Sequence, residues 1–216
     1  LAYLHSTKFK AYEFEAIETP GGRYYKTPGG LFESITTALG RNEEKKIGLK
    51  QWRLNIGEKE AARILRVSGQ RGTALHDIAE KYLKNDSNHL VGHMADAISM
   101  FYQLKPILDK AISVVYLQEC PLYNTKFKLA GRCDCIAEVN KKNTIIDFKT
   151  SRRQKTRAWI HDYFLQASAY SFMFEEMYGE KIEQILILIA VEDGKPQIFA
   201  DDPYKYITDT FFLERT

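Results

Sequence analysis

The chain has 216 residues, a formal net charge of +3 and 44% hydrophobic residues, enough for one sizeable core and too weakly basic overall to indicate a polyanion partner from charge alone. No run of about 20 apolar residues is present, which excludes a helical membrane span. Three cysteines (Cys120, Cys133 and Cys135) exclude a disulfide framework and fit a reducing compartment.

In chain order, residues 10 to 26 read as two strands, FKAYEFEAIET and RYYKT, joined at Pro20-Gly21-Gly22. Pro28-Gly29-Gly30 is a second turn, and Ser34 caps a short helix over 34 to 39. Helices follow over 43 to 54 and 58 to 84, the latter with candidate bends at Gly69 and Gly72, and over 90 to 111, which contains Pro106. Strands are predicted at 112 to 123, 126 to 139 and 143 to 150, then a helix over 159 to 178. Strands at 183 to 192 and 196 to 200 and a helix over 203 to 215 complete the chain. This order predicts an α/β fold, a central mixed β-sheet flanked by helices, forming one domain over 1 to 216. Its parts are an N-terminal hairpin and helical region (1 to 111) and a catalytic core (112 to 216).

The chemistry concentrates in GRCDCIAEVNKKNTIIDFKTS, residues 131 to 151. Asp147 and Lys149 flank one residue of a strand, so they share a face roughly 7 Å apart. A hairpin pairing 132 to 139 with 143 to 149 brings Asp134 to that face as well, and turns Cys133 and Cys135 together to the opposite one. Two carboxylates and an ammonium suit a divalent metal and an attacked phosphodiester. A solvated ion pair is the alternative reading.

Three further groups stand beside this motif. In RGTALHDIAE, residues 71 to 80, His76 and Glu80 are four apart on one helix face. They are either a surface pair or a metal ligand with an orienting carboxylate behind it, and Arg71 opens the run as a candidate phosphate contact. Gln166 and Tyr170 are likewise four apart, on the helix that packs back over the Lys149 strand. They either satisfy each other or reach the site. Arg152, Arg153, Lys155 and Arg157 leave the end of that strand as a solvated loop or as the rim of a phosphate groove. Trp159 and Trp52 are core residues or stacking platforms.

The ordered set of His76, Gly131-x-x-Asp134, Asp147-Phe148-Lys149-Thr150-Ser151 and Gln166-x-x-x-Tyr170 resembles the PD-(D/E)xK nuclease superfamily, in its RecB-like exonuclease group. Tyr25-Lys26-Thr27-Pro28, Glu33-Ser34-Ile35-Thr36-Thr37, Leu49-x-x-Trp52, Gly57-Glu58 and the stretch from Ile189 to Pro196 resemble the branch of phage exonucleases and the mitochondrial genome-maintenance exonuclease. The likeness covers roughly residues 20 to 210. It implies a restriction-endonuclease-like core and a Mg²⁺ or Mn²⁺ site formed by Asp134, Asp147, the Phe148 carbonyl and His76. It also implies that Lys149 activates water, braced by Gln166 and Tyr170, that Ser34 and Thr36 hold a DNA phosphate, and that Glu119 is an accessory acid near the metal. Relatives with an iron–sulfur cluster use four cysteines, so neither a cluster nor zinc is expected here.

The activity implied is an exodeoxyribonuclease on single-stranded ends, threaded through an arch formed by the helical region 34 to 111. Recombination or replication proteins are the implied partners. The alternative is an inactive nucleic-acid-binding or recombination-complex subunit, which the intact Asp134, Asp147 and Lys149 argue against. The wording of 71 to 83 resembles phage members, implying a host cytoplasm, with the mitochondrial matrix as the alternative. The first ten residues are poor in arginine for a transit peptide, while a start at Leu1 leaves room for a preceding segment.

Overall fold

A computed structural model describes residues 2–215, organised on a nine-stranded mixed sheet. β1 (Leu4–His5) pairs parallel with β5, introduced below. β2 (Glu15–Thr19), β3 (Gly22–Thr27) and β4 (Gly30–Ser34) form an antiparallel meander. The predicted first strand is thus shortened, and a strand after Gly30 is added. Register explains the addition: Tyr25 lies opposite Phe32, and both bury against Ala130.

Four helices follow. These are α1 (Ile35–Leu39), capped by Ser34, α2 (Glu43–Ile56), capped by Asn42, α3 (Glu58–Leu83) and α4 (Ala95–Ala111). α3 runs uninterrupted through Gly69 and Gly72, and α4 starts at Ala95, later than its apolar pattern suggests. Among the described residues no helix is long and apolar enough to cross a membrane.

β5 (Ile112–Asn124), β6 (Leu129–Val139) and β7 (Lys142–Ser151) form the predicted meander. α5 (His161–Tyr178) crosses back, and β8 (Gln184–Val191) pairs parallel with β7 before β9 (Gln197–Asp201) closes that edge. The predicted last helix is instead a 3-10 turn at Pro203–Tyr206 and the short α6 (Thr210–Leu213). Asp202 and Asp209 each cap a new start and divide it.

Alternation on the central strands separates two core layers. Ile145, Ile187 and Ile189 pack with Phe164, Ala167 and Phe174 of α5. Ile146, Phe148 and Leu188 pack with Leu75, Ile78 and Leu104 of α3 and α4. α1 belongs to the α5 layer through Ile35 and Ala38, whereas α3 belongs to the other layer. α2, which joins them, buries no residue.

The sheet forks at one end. β6 pairs with β4 at Leu129 and Ala130, and with β7 from Cys135 to Val139. Among the described residues no strand pairing joins that edge of β6 between 131 and 134. β7 continues to Ser151 on β8 alone.

Candidate functional site

The fork is irregular where its acids lie. Leu129 and Cys133 belong to the α5 layer, but Cys135, Ala137 and Val139 belong to the α3 layer. Side-chain alternation therefore slips by one at Asp134, and the two neighbouring cysteines do not share a face as the pleat predicts. Across β5, between the pairs Gln118–Cys135 and Cys120–Cys133, Glu119 adopts a φ of 45°. A left-handed backbone costs a non-glycine residue about 1 kcal/mol or more, and such strain gathers at functional sites. The slip brings both carboxylates to His76 of α3.

His76, Glu119 and Asp134 each present a ligand atom, all within 4.8 Å of one another. Asp134 Oδ2 accepts the Phe148 N–H at 2.8 Å, and its Oδ1 lies 3.5 Å from His76 Nδ1. His76 Nε2 is 2.7 Å from the Phe148 carbonyl, which only accepts. Nε2 is therefore the donor, and a neutral ring aims its Nδ1 lone pair at a carboxylate. Two acceptors facing each other call for a proton or a cation between them. Metal-binding histidines characteristically anchor their other ring nitrogen in this way. Burial, reinforced by Asp134, pushes the Glu119 carboxyl up to about 7. A set of one imidazole and two carboxylates fits a divalent cation. The Phe148 carbonyl, implied as a ligand, accepts from His76 with one of its two lone pairs.

Asp147 and Lys149 occupy the other face, as their spacing predicts. Asp147 is only 1% exposed and lies outside the three-donor set. Lys149 Nζ is 2.5 Å from its Oδ2, a direct ion pair within the protein. Burial raises the Asp147 carboxyl pKa, with Lys149 opposing it. Burial alone would lower the Lys149 pKa, but Asp147 and Asp134 outweigh it and hold the ammonium charged. The Tyr163 ring lies 5.2 Å from Nζ. Tyr163 was not singled out from the sequence, although it opens the helix that must fold back over Lys149.

Other predicted residues are placed differently. Gln166 donates to the Tyr170 hydroxyl at 3.1 Å, so the pair satisfies itself rather than bracing Lys149. Tyr170 fills the space above Gly131, where a Cβ would fall 2.7 Å from its ring. The Glu80 carboxylate is held by Lys84 at 2.5 Å rather than by His76, though Glu80 lines the same cleft. Arg71 is buried on Glu192 at 2.7 Å and is not open to a phosphate. Ser34 is buried too. Its hydroxyl caps α1 and bonds those of Thr36 and Thr37, while Thr36 itself is exposed. Arg152 and Arg153 are exposed, and Lys155 lies 5.9 Å from the ring of Trp159, which is 69% exposed. Arg157 is ion-paired with Asp201. Trp52 is half-buried on α2.

Residues 50–204 match the profile of the PD-(D/E)XK nuclease superfamily. The chain is 25% identical over 178 residues to mitochondrial genome maintenance exonuclease 1 of Xenopus tropicalis, covering 77% of this chain and 50% of that protein. Its Mus musculus counterpart is 28% identical over 160 residues, covering 71% and 47% respectively. The chain thus spans about half the length of the curated relatives it matches. A crystal structure from Eubacterium rectale, labelled an exonuclease by assignment, shares 13% identity at a TM-score of 0.43, over 67% of this chain and 62% of that one. That likeness is too loose to support an argument. The profile match spans well over half of the sequence, and the chain belongs to the PD-(D/E)XK nuclease superfamily.

Proposed function

We propose that this protein is a Mg²⁺- or Mn²⁺-dependent nuclease that hydrolyses phosphodiester bonds of DNA from single-stranded ends. The observation that carries this reading is the His76, Glu119 and Asp134 set at the sheet fork, with Asp147 and Lys149 on the adjoining strand. The bound cation would supply Lewis-acid activation of phosphate and water. Asp134, Glu119 and His76 Nδ1 would hold it, and the Phe148 carbonyl would fix the imidazole. Asp147, whose ion-pair partner is Lys149, would adjust towards the centre once Lys149 turns to the substrate. Because Lys149 stays protonated, its role is to stabilise charge developing on phosphate oxygens rather than to act as a base.

The path of the chain supports the preference for ends. α1 lies on one face of the sheet and α3 on the other, so α2 carries the chain between the faces and, on this reading, past the open fork. A flexible single strand can thread beneath such a crossing and a stiff duplex cannot. The two curated relatives carry exonuclease names, which agrees with this reading. The test is digestion of end-labelled linear single strands, closed single-stranded circles and blunt duplex in Mg²⁺, Mn²⁺ or EDTA. Linear strands should be degraded only with metal, and circles should resist. Rapid cutting of circles would make the enzyme an endonuclease.

A second reading, a subunit that binds nucleic acid without cutting it, has its own observation. Lys149 sits on Asp147, and that carboxylate stands apart from the three-donor set. Tight binding in Mg²⁺ or Mn²⁺ with no product formed would favour it.

A further inference from the structure

The cleft above the three donors encloses about 510 Å³ and has two walls. One is α3, with Thr73, His76, Asp77 and Glu80. The other is Arg23, carried by the β2–β3 hairpin. The remaining ionisable lining residues beside His76 are the carboxylates Asp77, Glu80 and Glu119. Asp77 and Glu80 are taken up by Lys81 and Lys84, which leaves Arg23 as the cationic side chain that lines the cleft, opposite the donor set.

The position of Arg23 is built into the fold. Its backbone N–H donates to Thr37 Oγ1 at 3.0 Å, and Thr37 is held in turn by the Ser34 hydroxyl. Gly22 precedes it at a φ of 122°, and a Cβ there would collide with Thr37. The hydroxyl cluster expected to bind a phosphate instead clamps the hairpin that carries Arg23. The guanidinium is paired with Glu18 at 2.5 Å, but the two side chains are 51% and 65% exposed. So exposed a pair is weak and readily exchanged for a better acceptor. A planar guanidinium matches two phosphate oxygens at once.

The geometry points to Arg23 as a phosphate-binding residue of the substrate groove, gripping a linkage beside the scissile one on the hairpin side. This inference rests on the nuclease reading above. The test compares wild type, Arg23→Ala, Arg23→Lys and a remote charge control, Lys8→Ala, whose partner is Glu180. Each is titrated with labelled single-stranded oligonucleotides in Ca²⁺ across a salt series. The oligonucleotides carry one neutral methylphosphonate, moved linkage by linkage, and turnover is measured in Mn²⁺.

Arg23→Ala should bind about tenfold or more weakly, as expected for a lost charge-assisted contact. Its salt slope should flatten by about one, and KM should change more than kcat. One linkage whose neutralisation weakens wild type should no longer matter in Arg23→Ala, and Lys8→Ala should behave as wild type. Wild-type affinity and linkage pattern in Arg23→Ala, with the wild type still cutting DNA, would overturn the role of Arg23 alone. A wild type that neither binds nor cuts would remove the nuclease reading with it. Should Arg23→Ala fail to fold, Arg23→Lys decides, since it keeps the charge and loses the planar fork. A loss confined to one linkage supports the proposal, and an unchanged pattern overturns it.

Discussion

The two faces of the sheet at its fork carry opposite electrostatic designs. On the α5 face, Asp147 is enclosed and Lys149 lies against it, so the charges compensate each other within the protein. On the α3 face, Glu119, Asp134 and His76 are partly exposed, and among the described residues no lysine or arginine forms an ion pair with either acid. The first arrangement is compensated within the fold, whereas the second leaves an imidazole and two carboxylates grouped as a divalent cation requires. The two sets adjoin: Asp134 turns to His76 at the slip and stays within electrostatic reach of Asp147 and Lys149.

The largest expected effects test this division. Asp134→Ala should lower turnover by about a hundredfold or more, since positioned charge at a reacting centre contributes several kcal/mol. Its stability should fall by about 1 kcal/mol or more, because the buried Phe148 N–H loses its acceptor, offset in part by relief of the repulsion with Glu119. Lys149→Ala should cost activity and stability together. It leaves Asp147 buried and uncompensated, a loss of about 3 kcal/mol or more at pH 7. Below the pKa of Asp147, raised by burial, the acid takes a proton and the penalty shrinks. Melting curves of Lys149→Ala that are equally depressed at pH 5 and pH 8 would contradict the compensated-pair account, and Asp147→Asn with Lys149→Met should recover most of the loss.

Gly131→Ala probes the packing beneath the dry face. The added methyl meets the Tyr170 ring and Ile35 Cγ2, both fully enclosed. Overpacking of this kind costs about 1–3 kcal/mol, measurable by chemical denaturation. A variant as stable as wild type would mean that the fork opens more easily than its packing suggests.

Glu119→Gln should have the opposite sign. The ordinary glutamate value near 4.5 rises to about 7 in the fold, so between those values the native state binds more protons than the unfolded chain. Stability from this group is therefore full below pH 4.5 and is lost as pH climbs through 7. Without metal, the Gln variant should melt close to wild type at pH 5 and above it at pH 8. Added Mn²⁺ should raise the wild type at pH 8 more than the variant. A Gln variant less stable than wild type at pH 8 would place Glu119 in a structural role.

Much of this was legible in the sequence, and the reasons for the rest are specific. Period-two alternation placed Asp147 and Lys149 on one face and the β5–β7 meander in order, because side chains on an unbroken pleat have no choice of direction. The same rule set Cys133 and Cys135 on one face, and the structure divides them, since alternation presupposes a pleat that does not slip. Neither the φ of Glu119 nor the slip has a glycine to announce it. Ser34 reads correctly as a cap, but the hairpin that its hydroxyl network secures lies in another part of the chain. Arg23 and Tyr163 reach the site through contacts across folds of the chain, and nothing local marks them. Glu80 and Arg71 show the converse: spacing on a helix put them near the site, and nearby ions, Lys84 and Glu192, claimed them.

The smallest expected effect concerns the segment that joins the two faces. α2 exposes Ile47, Leu49 and Leu54 and buries no residue, so its apolar side chains contribute little to the core. Leu54→Ser should change stability by no more than about 0.5 kcal/mol, the usual range for surface sites. If α2 bounds the passage to the fork, its influence should appear in substrate choice. Replacing Trp52 and Leu54 together by Ser should weaken binding of a single strand, because base stacking on aromatic and apolar side chains is lost, while leaving cleavage of a dinucleotide unchanged. A double variant that loses both activities equally would make α2 a scaffold for the metal centre. One that loses neither would place the strand outside the crossing, on the exposed Trp159 side of the fork.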